Sequence, residues 1–195
     1  MEKLILSDFK SIVVTSGKPV NIISNPTKYP LIGKGLQGAV FKLSNEQCVK
    51  IYSKEKYCHR EGIVLQTIGR DSVIVPKVYE VGPNYIVMEY LTGPSLRDHL
   101  EASGEVSKQI SEQIIDLIKE LRRLEFSRID FMLRHCIFNK EGHLKIIDHV
   151  NSFKVKRSNP NLLLKELKQL GLLPSFLEHV KNIEPNLYLK WRLLL

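Results

Sequence analysis

Residues 128–150 read RIDFMLRHCIFNKEGHLKIIDHV and contain a short hairpin signal between two aspartates. Two strand-like runs, Cys136–Phe138 and Leu144–Ile147, are joined by the turn sequence NKEG, whose polar and glycine residues favour a tight turn. Asp130 precedes the first run, and Asp148 follows the second run, 18 residues after Asp130. The stretch therefore predicts a β-hairpin with a carboxylate at each end.

A glycine-rich run lies upstream of this hairpin and reads GKGLQGAVF, with glycines at Gly33, Gly35 and Gly38. Glycines let the backbone approach phosphate oxygens, to which its amides can donate. The same glycine spacing occurs in ordinary hairpins and in dinucleotide folds, but a dinucleotide fold opens a helix after the third glycine. Here Val40–Leu43 has the pattern of a returning strand. The run therefore favours a glycine hairpin folded over a nucleotide.

A lysine, Lys50, lies within the apolar strand-like run Gln47–Tyr52. Burying a lysine in such a run is costly unless an anion meets it. Two anions are candidates: a nucleotide phosphate, and a carboxylate such as Glu61 on the helix that the pattern predicts over Glu55–Ile68, ending at Gly69. For Lys50 taken alone, a strand-edge lysine that reaches water is the alternative.

The hydrophobic period of the chain changes near Thr92–Pro94. The residues before this point read mainly as short strands, including Val73–Glu80, with one helix. After it, apolar residues recur at helical spacing from Val106 to Leu124, and a leucine-rich segment begins at Leu162. We therefore expect a sheet-rich part over residues 1–91, followed by a helical part over residues 92–195 whose leucines form a core.

The composition is that of an ordinary globular protein. Of its 195 residues, 43% are hydrophobic and 26% are charged, which excludes disordered and collagen-like classes. Three scattered cysteines without a CxxC pair argue for a reducing compartment. No apolar run approaches the roughly 18 residues of a membrane span, and residues 1–4 do not open a signal peptide. We expect a cytoplasmic protein without a membrane partner.

The positive charge of the chain points to polyanionic partners. Its net charge is +8, so a contact with RNA or the ribosome is one candidate, beside nucleotide phosphates. The densest basic run, Lys154–Arg157, has no aromatic residues within it. It reads either as an exposed loop or as a binding patch.

From Leu31 to Phe153, the order of these motifs resembles the protein-kinase-like superfamily, and the Asp130–Asp148 spacing is that family's own. The resemblance implies an α+β, two-lobed protein-kinase-like fold, with a sheet-rich N-lobe that ends in a hinge and a reduced helical C-lobe. It implies an ATP-dependent phosphotransferase, an atypical serine/threonine protein kinase that uses ATP and Mg²⁺ on an unidentified protein substrate. Only 47 residues follow Asp148. In this short C-terminal part, the chain resembles the RIO group and small bacterial kinases.

The resemblance also implies a role for each motif. Asp130 would act on the acceptor hydroxyl, and Asp148 and His135 would hold the metal. Lys50 would position the phosphates with Glu61 as its partner; Glu55 is the alternative, because only 11 residues separate Lys50 from Glu61. The implied nucleotide-binding residues are Ile32, Gly33, Lys34, Gly35, Gly38, Val40, Cys48, Lys50, Met88, Glu89 and Leu91.

The chain departs from the kinase pattern in four places. Arg128 and Ile129 precede Asp130 where kinases have His-Arg, Met132 replaces a lysine, His135 replaces an asparagine, and Asp148 is followed by His-Val instead of Phe-Gly. Because Mg²⁺ prefers oxygen ligands, His135 either favours a softer ion such as Mn²⁺ or only hydrogen-bonds the loop. These departures leave two alternatives: a pseudokinase that serves as a nucleotide-binding or interaction module, and a small-molecule kinase.

Overall fold

The computed structural model describes residues 8–70 and 72–194. Residues 1–4, on which the signal-peptide interpretation depends, lie outside the described residues. The described residues form nine strands and six α-helices and divide into two compact units, the first ending at Leu91 and the second beginning at Thr92. This mixture of an antiparallel sheet and helices agrees with the predicted α+β class; that the two units are the lobes of a kinase stays a prediction.

The first unit contains a five-stranded sheet in which every neighbouring pair is antiparallel, in the order β3-β4-β5-β7-β6. A separate hairpin of two strands precedes it in the chain. The strands of this unit are β1 (Val13–Thr15), β2 (Asn21–Ser24), β3 (Leu31–Lys34), β4 (Gly38–Lys42), β5 (Gln47–Tyr52), β6 (Val78–Val81) and β7 (Tyr85–Glu89).

The strand predicted over Val73–Glu80 is wrong in its first half, because β6 begins only at Val78. Pro76 explains the shortening. A proline has no N–H to donate to a ladder and fixes its own backbone angle, so the residues just before it do not continue a paired strand. Val73 is accordingly exposed.

Strand β5 lies at the centre of the sheet and presents two different faces. Val49 and Ile51 belong to a core cluster with residues from the first hairpin and β4. Since successive side chains of a strand point to opposite faces, Cys48, Lys50 and Tyr52 lie on the other face. Lys50 thus lies on the face of β5 opposite this core cluster.

Helix α1 (Glu55–Ile68) packs against the sheet and ends where the sequence predicts, with the Gly69 N–H donating to the Leu65 carbonyl. Its buried face is apolar except for Glu61. Gly62 lets the helix approach the sheet, because a Cβ there would lie 3.3 Å from the Val81 Cγ1 atom. The helix therefore carries one carboxylate toward the sheet.

Two of the glycines in the β3–β4 hairpin have opposite steric requirements. A Cβ on Gly38 would lie 2.5 Å from the Ile51 carbonyl oxygen, whereas a Cβ on Gly35 would meet no atom within 4 Å. We therefore expect Gly38→Ala to lower the free energy of unfolding by about 1–3 kcal/mol, as overpacking does, and Gly35→Ala to change it little. Urea unfolding of both variants checks this, and equal losses would contradict it.

The second unit combines five helices with one hairpin of two strands, β8 (Cys136–Phe138) and β9 (Leu144–Ile146). The predicted hairpin is confirmed, with Cys136 opposite Ile146 and Phe138 opposite Leu144. The helices are α2 (Leu96–Ser103), α3 (Lys108–Arg123), α4 (Asn161–Gln169), α5 (Leu173–Ile183) and α6 (Pro185–Trp191).

Serine caps set the starts of the first two helices of this unit. The Ser95 hydroxyl accepts from the Asp98 N–H before α2, and the Ser107 hydroxyl accepts from the Ile110 N–H before α3. Such caps satisfy backbone donors that the first helical turn leaves open. They explain why α3 begins at Lys108 and not at the first apolar residue of its pattern.

The terminal leucines form the expected core only in part. Leu163 and Leu167 of α4 are fully buried, but Leu189 is 54% exposed and Leu193 is 80% exposed. The helical period places Leu189 on the outer side of α6, away from the buried Trp191. None of the helices in the described part of the chain has the length and apolar character that crossing a membrane requires.

Candidate functional site

The structure pairs Lys50 with Glu61. The Lys50 Nζ atom lies 2.6 Å from Glu61 Oε2, and the side chains are 12% and 2% exposed respectively. The Tyr52 hydroxyl donates to the same carboxylate oxygen at 2.8 Å. Glu55, the alternative partner, is exposed in the first turn of α1. The predicted pairing of Lys50 with the helix carboxylate is therefore the one that the structure contains.

The glycine-rich run forms a hairpin between β3 and β4, as expected, and no helix follows its third glycine. Gly33 lies opposite Val40, and the Gly35 N–H donates to the Gly38 carbonyl at 3.0 Å. A Cβ on Gly33 would make only ordinary contacts with Val40, at 3.8 Å or more. Within the described residues, the fold itself thus has a steric need for glycine at Gly38 but not at Gly33 or Gly35.

Three of the implied nucleotide-binding residues, Cys48, Met88 and Glu89, lie on two adjacent strands of the sheet. Cys48 of β5 is directly opposite Met88 of β7, and its thiol donates to the Glu89 carbonyl at 3.6 Å. Burial raises the pKa of Cys48 to about 12, so the thiol is neutral at physiological pH. Met88 and Leu91 are also buried, whereas Ile32 on β3 is exposed.

The second unit brings three predicted residues around one small cavity. Asp130, His135 and Asp148 line a cavity of about 20 Å³, together with the polar side chains of Arg128 and Ser152. That volume exceeds what one water molecule needs. Among the described residues, however, no group of three or more histidine, cysteine, aspartate or glutamate side chains is arranged to hold a metal ion. Within the described ranges, such side chains therefore supply at most two ligands to any one metal ion.

Asp148 has an uncommon backbone conformation. Its φ angle is +67°, in the left-handed region, where non-glycine residues other than asparagine and aspartate are rare. Such conformations cost on the order of 1–3 kcal/mol and occur frequently at functional sites. The neighbouring His149 is buried, with its ring nitrogens 2.8 Å from the Ile146 carbonyl oxygen and 3.1 Å from the Ser152 hydroxyl. This histidine anchors the turn that carries Asp148.

Asp130 is only 4% exposed and caps a helix. Its Oδ1 atom accepts from the Leu162 N–H at 2.9 Å, in the first turn of α4. The residue before this helix, Pro160, supplies no side-chain cap, and a carboxylate is favourable at a helix N-terminus. The sequence did not predict this contact, which joins residues that are 32 positions apart.

The environment of Asp130 has a consequence for pH dependence. Burial raises its carboxyl pKa, opposed by the Leu162 and Leu163 amides and by the positive charges of Arg128 and Arg157. Because the pKa is raised in the folded state, Asp130 contributes to the free energy of unfolding when it is protonated. This contribution is fully present below the ordinary aspartate pKa of about 3.9 and is lost as pH rises through the raised pKa. The unfolding free energy of the wild type, measured relative to Asp130→Asn, should therefore fall across that window. Urea unfolding at several pH values checks this; a difference that rises with pH would contradict it.

The two interpretations of His135 both stay open. Its Nε2 atom lies 3.4 Å from the Nε atom of the exposed Arg134, and its backbone N–H donates to the Met132 carbonyl. The ring thus makes a hydrogen bond within its own loop while also lining the cavity with Asp148.

The basic run is exposed, as expected for a loop. Lys154, Lys156 and Arg157 all have exposed side chains. The backbone of Arg157 pairs with that of Ile129, which precedes Asp130. An interaction of this run with RNA stays a prediction.

Sequence reasoning missed two residues, one in each unit, that contact a predicted residue or its loop. Tyr52 donates to Glu61, and Glu166 of α4 accepts from the backbone of Leu133, between Asp130 and His135. The period-2 pattern of β5 could have revealed Tyr52, since it lies on the same strand face as Lys50. No local signal marks Glu166, because its partner is 33 residues away.

Similarity to known proteins relates this chain distantly to protein kinases. No protein-family model matches it. It is 26% identical over 123 residues to the Bacillus subtilis protein named "Putative serine/threonine-protein kinase YrzF", an alignment that covers 60% of this chain and 57% of that protein. It is also 26% identical over 97 residues to serine/threonine-protein kinase D of Synechocystis, covering 48% of this chain and 19% of that kinase. The chain thus spans less than two thirds of either relative, and the similarity supports a protein-kinase-like relationship at this coarse level.

Proposed function

We propose that this chain is an ATP-dependent phosphotransferase, an atypical serine/threonine protein kinase that transfers the γ-phosphoryl group of ATP to a protein hydroxyl. The buried Lys50–Glu61 ion pair is the observation that carries the proposal. Burying two charges costs several kcal/mol of desolvation, and such a pair is weak evidence for stability alone. A lysine held in place by a carboxylate is the arrangement with which kinases bind nucleotide phosphates.

The glycine hairpin supports nucleotide binding. Gly33 and Gly35 have no steric role in the described fold, and Gly35 is exposed. A missing Cβ at both positions suits a phosphate that approaches the backbone amides. The names of the two bacterial relatives agree with this class of function.

Asp148 fits the way in which Mg²⁺ is held beside a nucleotide. Mg²⁺ keeps several water molecules and is bound through one or two carboxylates plus substrate phosphates, so a cluster of three protein ligands is not needed. The nitrogen of His135 suits this ion less well and a softer divalent ion better. When bound, the metal would neutralise negative charge on the phosphates.

Asp130 would receive the proton of the acceptor hydroxyl. As the acceptor oxygen bonds to the γ-phosphorus, the bond from phosphorus to the ADP oxygen breaks, and the hydroxyl proton passes to the Asp130 carboxylate. The Leu162 N–H holds one oxygen of this carboxylate. Burial raises the Asp130 pKa, and a raised pKa makes the carboxylate a stronger base.

The direct test is phosphoryl transfer from γ-labelled ATP to casein, or to the protein itself, with Mg²⁺ or Mn²⁺. We expect transfer by the wild type and a loss of at least about tenfold in Asp148→Asn, since an amide is a poorer ligand for a hard cation. If His135 is a ligand, the wild type prefers Mn²⁺, and His135→Asn shifts the preference toward Mg²⁺. An unchanged preference would assign His135 to loop hydrogen bonding only.

A pseudokinase is the second candidate, and one observation favours it. Asp130 is buried and caps α4, so a structural duty alone is enough to account for this carboxylate. Calorimetric titration with ATP on the same samples separates the two functions. ATP binding without transfer under any metal condition would favour the pseudokinase.

A further inference from the structure

Glu166 lies on α4, outside every motif that the kinase resemblance covers, and its side chain is 15% exposed. Its Oε2 atom accepts from the Leu133 backbone N–H at 2.7 Å. Leu133 is fully buried and begins the short 3-10 turn Leu133–His135, three residues after Asp130. One carboxylate oxygen thus binds the backbone of the loop that carries two proposed functional side chains.

The other oxygen of Glu166 is tied to a second helix. Its Oε1 atom lies 3.5 Å from Arg97 Nη1 on α2, and Arg97 Nη2 lies 2.8 Å from Glu101, whose side chain is 45% exposed. Arg97 partly neutralises the carboxylate, which lowers the cost of its burial. Hydrogen bonds to an ionised carboxylate are short and about twice as strong as neutral ones. The contact with Leu133 is therefore a strong link between α4 and the loop.

Helix α4 holds the same loop at a second point, through the bond from the Leu162 N–H to Asp130. Two hydrogen bonds from one helix to residues only three positions apart restrict both the place and the orientation of the loop. Phosphoryl transfer depends on such placement, because a displacement of about 1 Å can cost on the order of 100-fold in rate.

We propose that Glu166 is a positioning residue for phosphoryl transfer: by accepting from Leu133, it fixes the loop so that Asp130 meets the acceptor hydroxyl. This inference rests on the proposed function. Glu166 touches neither ATP nor the acceptor in this scheme and acts only through the loop.

The test compares three variants in the labelled-ATP assay. Glu166→Ala removes the acceptor, Glu166→Gln keeps an oxygen that can accept from Leu133, and Glu101→Gln removes only the outer partner of Arg97. We expect Glu166→Ala to lower kcat by about 10- to 100-fold while the KM for ATP stays within about twofold. Glu166→Gln should recover most of kcat, and Glu101→Gln should match the wild type.

Each outcome supports or overturns the inference. A Glu166→Ala variant with wild-type kcat overturns it, as does a parallel loss in Glu166→Gln or a rise in KM without a fall in kcat. If Glu166→Ala does not fold, as thermal unfolding would show, Glu166→Asp takes its place, because its carboxylate is one methylene too short to keep the 2.7 Å contact with the Leu133 N–H. A lower kcat in Glu166→Asp with kcat near wild type in Glu166→Gln supports the inference, and equal kcat in both variants overturns it.

If the wild type transfers no phosphate, this result contradicts the proposed function and is distinct from a failure of the inference about Glu166. In that case, amide hydrogen exchange at Leu133 tests the structural part of the inference without any activity. Exchange should become faster in Glu166→Ala and stay unchanged in Glu101→Gln. Equal exchange in the wild type and Glu166→Ala would overturn the anchoring role of Glu166.

Discussion

The Asp130→Asn variant is expected to lose phosphoryl transfer almost completely while it keeps its fold. A positioned general base typically contributes 10²- to 10⁴-fold to a rate, so we expect kcat to fall by about that factor. An asparagine oxygen can still accept from the Leu162 N–H, so the cap on α4 survives the substitution. Measurements of kcat and of the unfolding midpoint on the same preparation test both parts.

Asp130→Ala provides the matched comparison, because it removes the base and the cap together. A lost helix cap costs about 0.5–2 kcal/mol, so this variant should be less stable than Asp130→Asn but equally inactive. Transfer that persists in Asp130→Asn would assign Asp130 to structure alone. The acceptor hydroxyl would then lose its proton to a different base or to none.

The Lys50→Met variant is expected to lose both stability and transfer. It removes the cation that lies beside the buried Glu61 carboxylate, to which the Tyr52 hydroxyl still donates. Breaking a buried ion pair by removing one partner costs about 3–5 kcal/mol. The variant also lacks the cation proposed to bind the ATP phosphates, so ATP affinity and kcat should both fall. Urea unfolding and ATP titration measure the two losses.

A double variant separates stability from function. Lys50→Met with Glu61→Gln removes both charges and keeps an oxygen for the Tyr52 hydroxyl. Replacing both partners of a buried pair is often nearly neutral, so most of the stability should return while transfer does not. Glu55→Gln, an exposed change on the same helix, is the control and should alter neither property. Restored transfer in the double variant would show that Lys50 has no phosphate to bind.

Local patterns predicted the elements that position the candidate site. The hairpin between Asp130 and Asp148 and the end of α1 at Gly69 follow from turn residues and hydrophobic period, which act over a few neighbouring positions. Pro76 shows the limit of the same method: the apolar run around it resembles a strand, but a missing N–H shortens the strand.

The choice between Glu55 and Glu61 shows where sequence reasoning ended. Both carboxylates lie on the predicted helix α1; the kinase resemblance favoured Glu61, but its short separation from Lys50 left Glu55 as the alternative. Packing against the sheet decided the question, because it buries the face that carries Glu61 and leaves Glu55 in water. A helix has one buried face, but its sequence alone does not say which residue on that face meets a given strand.

Residue types, their spacing and the kinase resemblance that they carry were enough to predict the α+β class, the glycine hairpin and the set of candidate residues. Each of these depends on residue types and short-range periodicity. The caps and anchors of α4 depend instead on contacts between residues more than 30 positions apart, Asp130 with Leu162 and Leu133 with Glu166. Such contacts arise only when helix and loop pack together, because no short-range pattern encodes which distant backbone amide a buried carboxylate will bind.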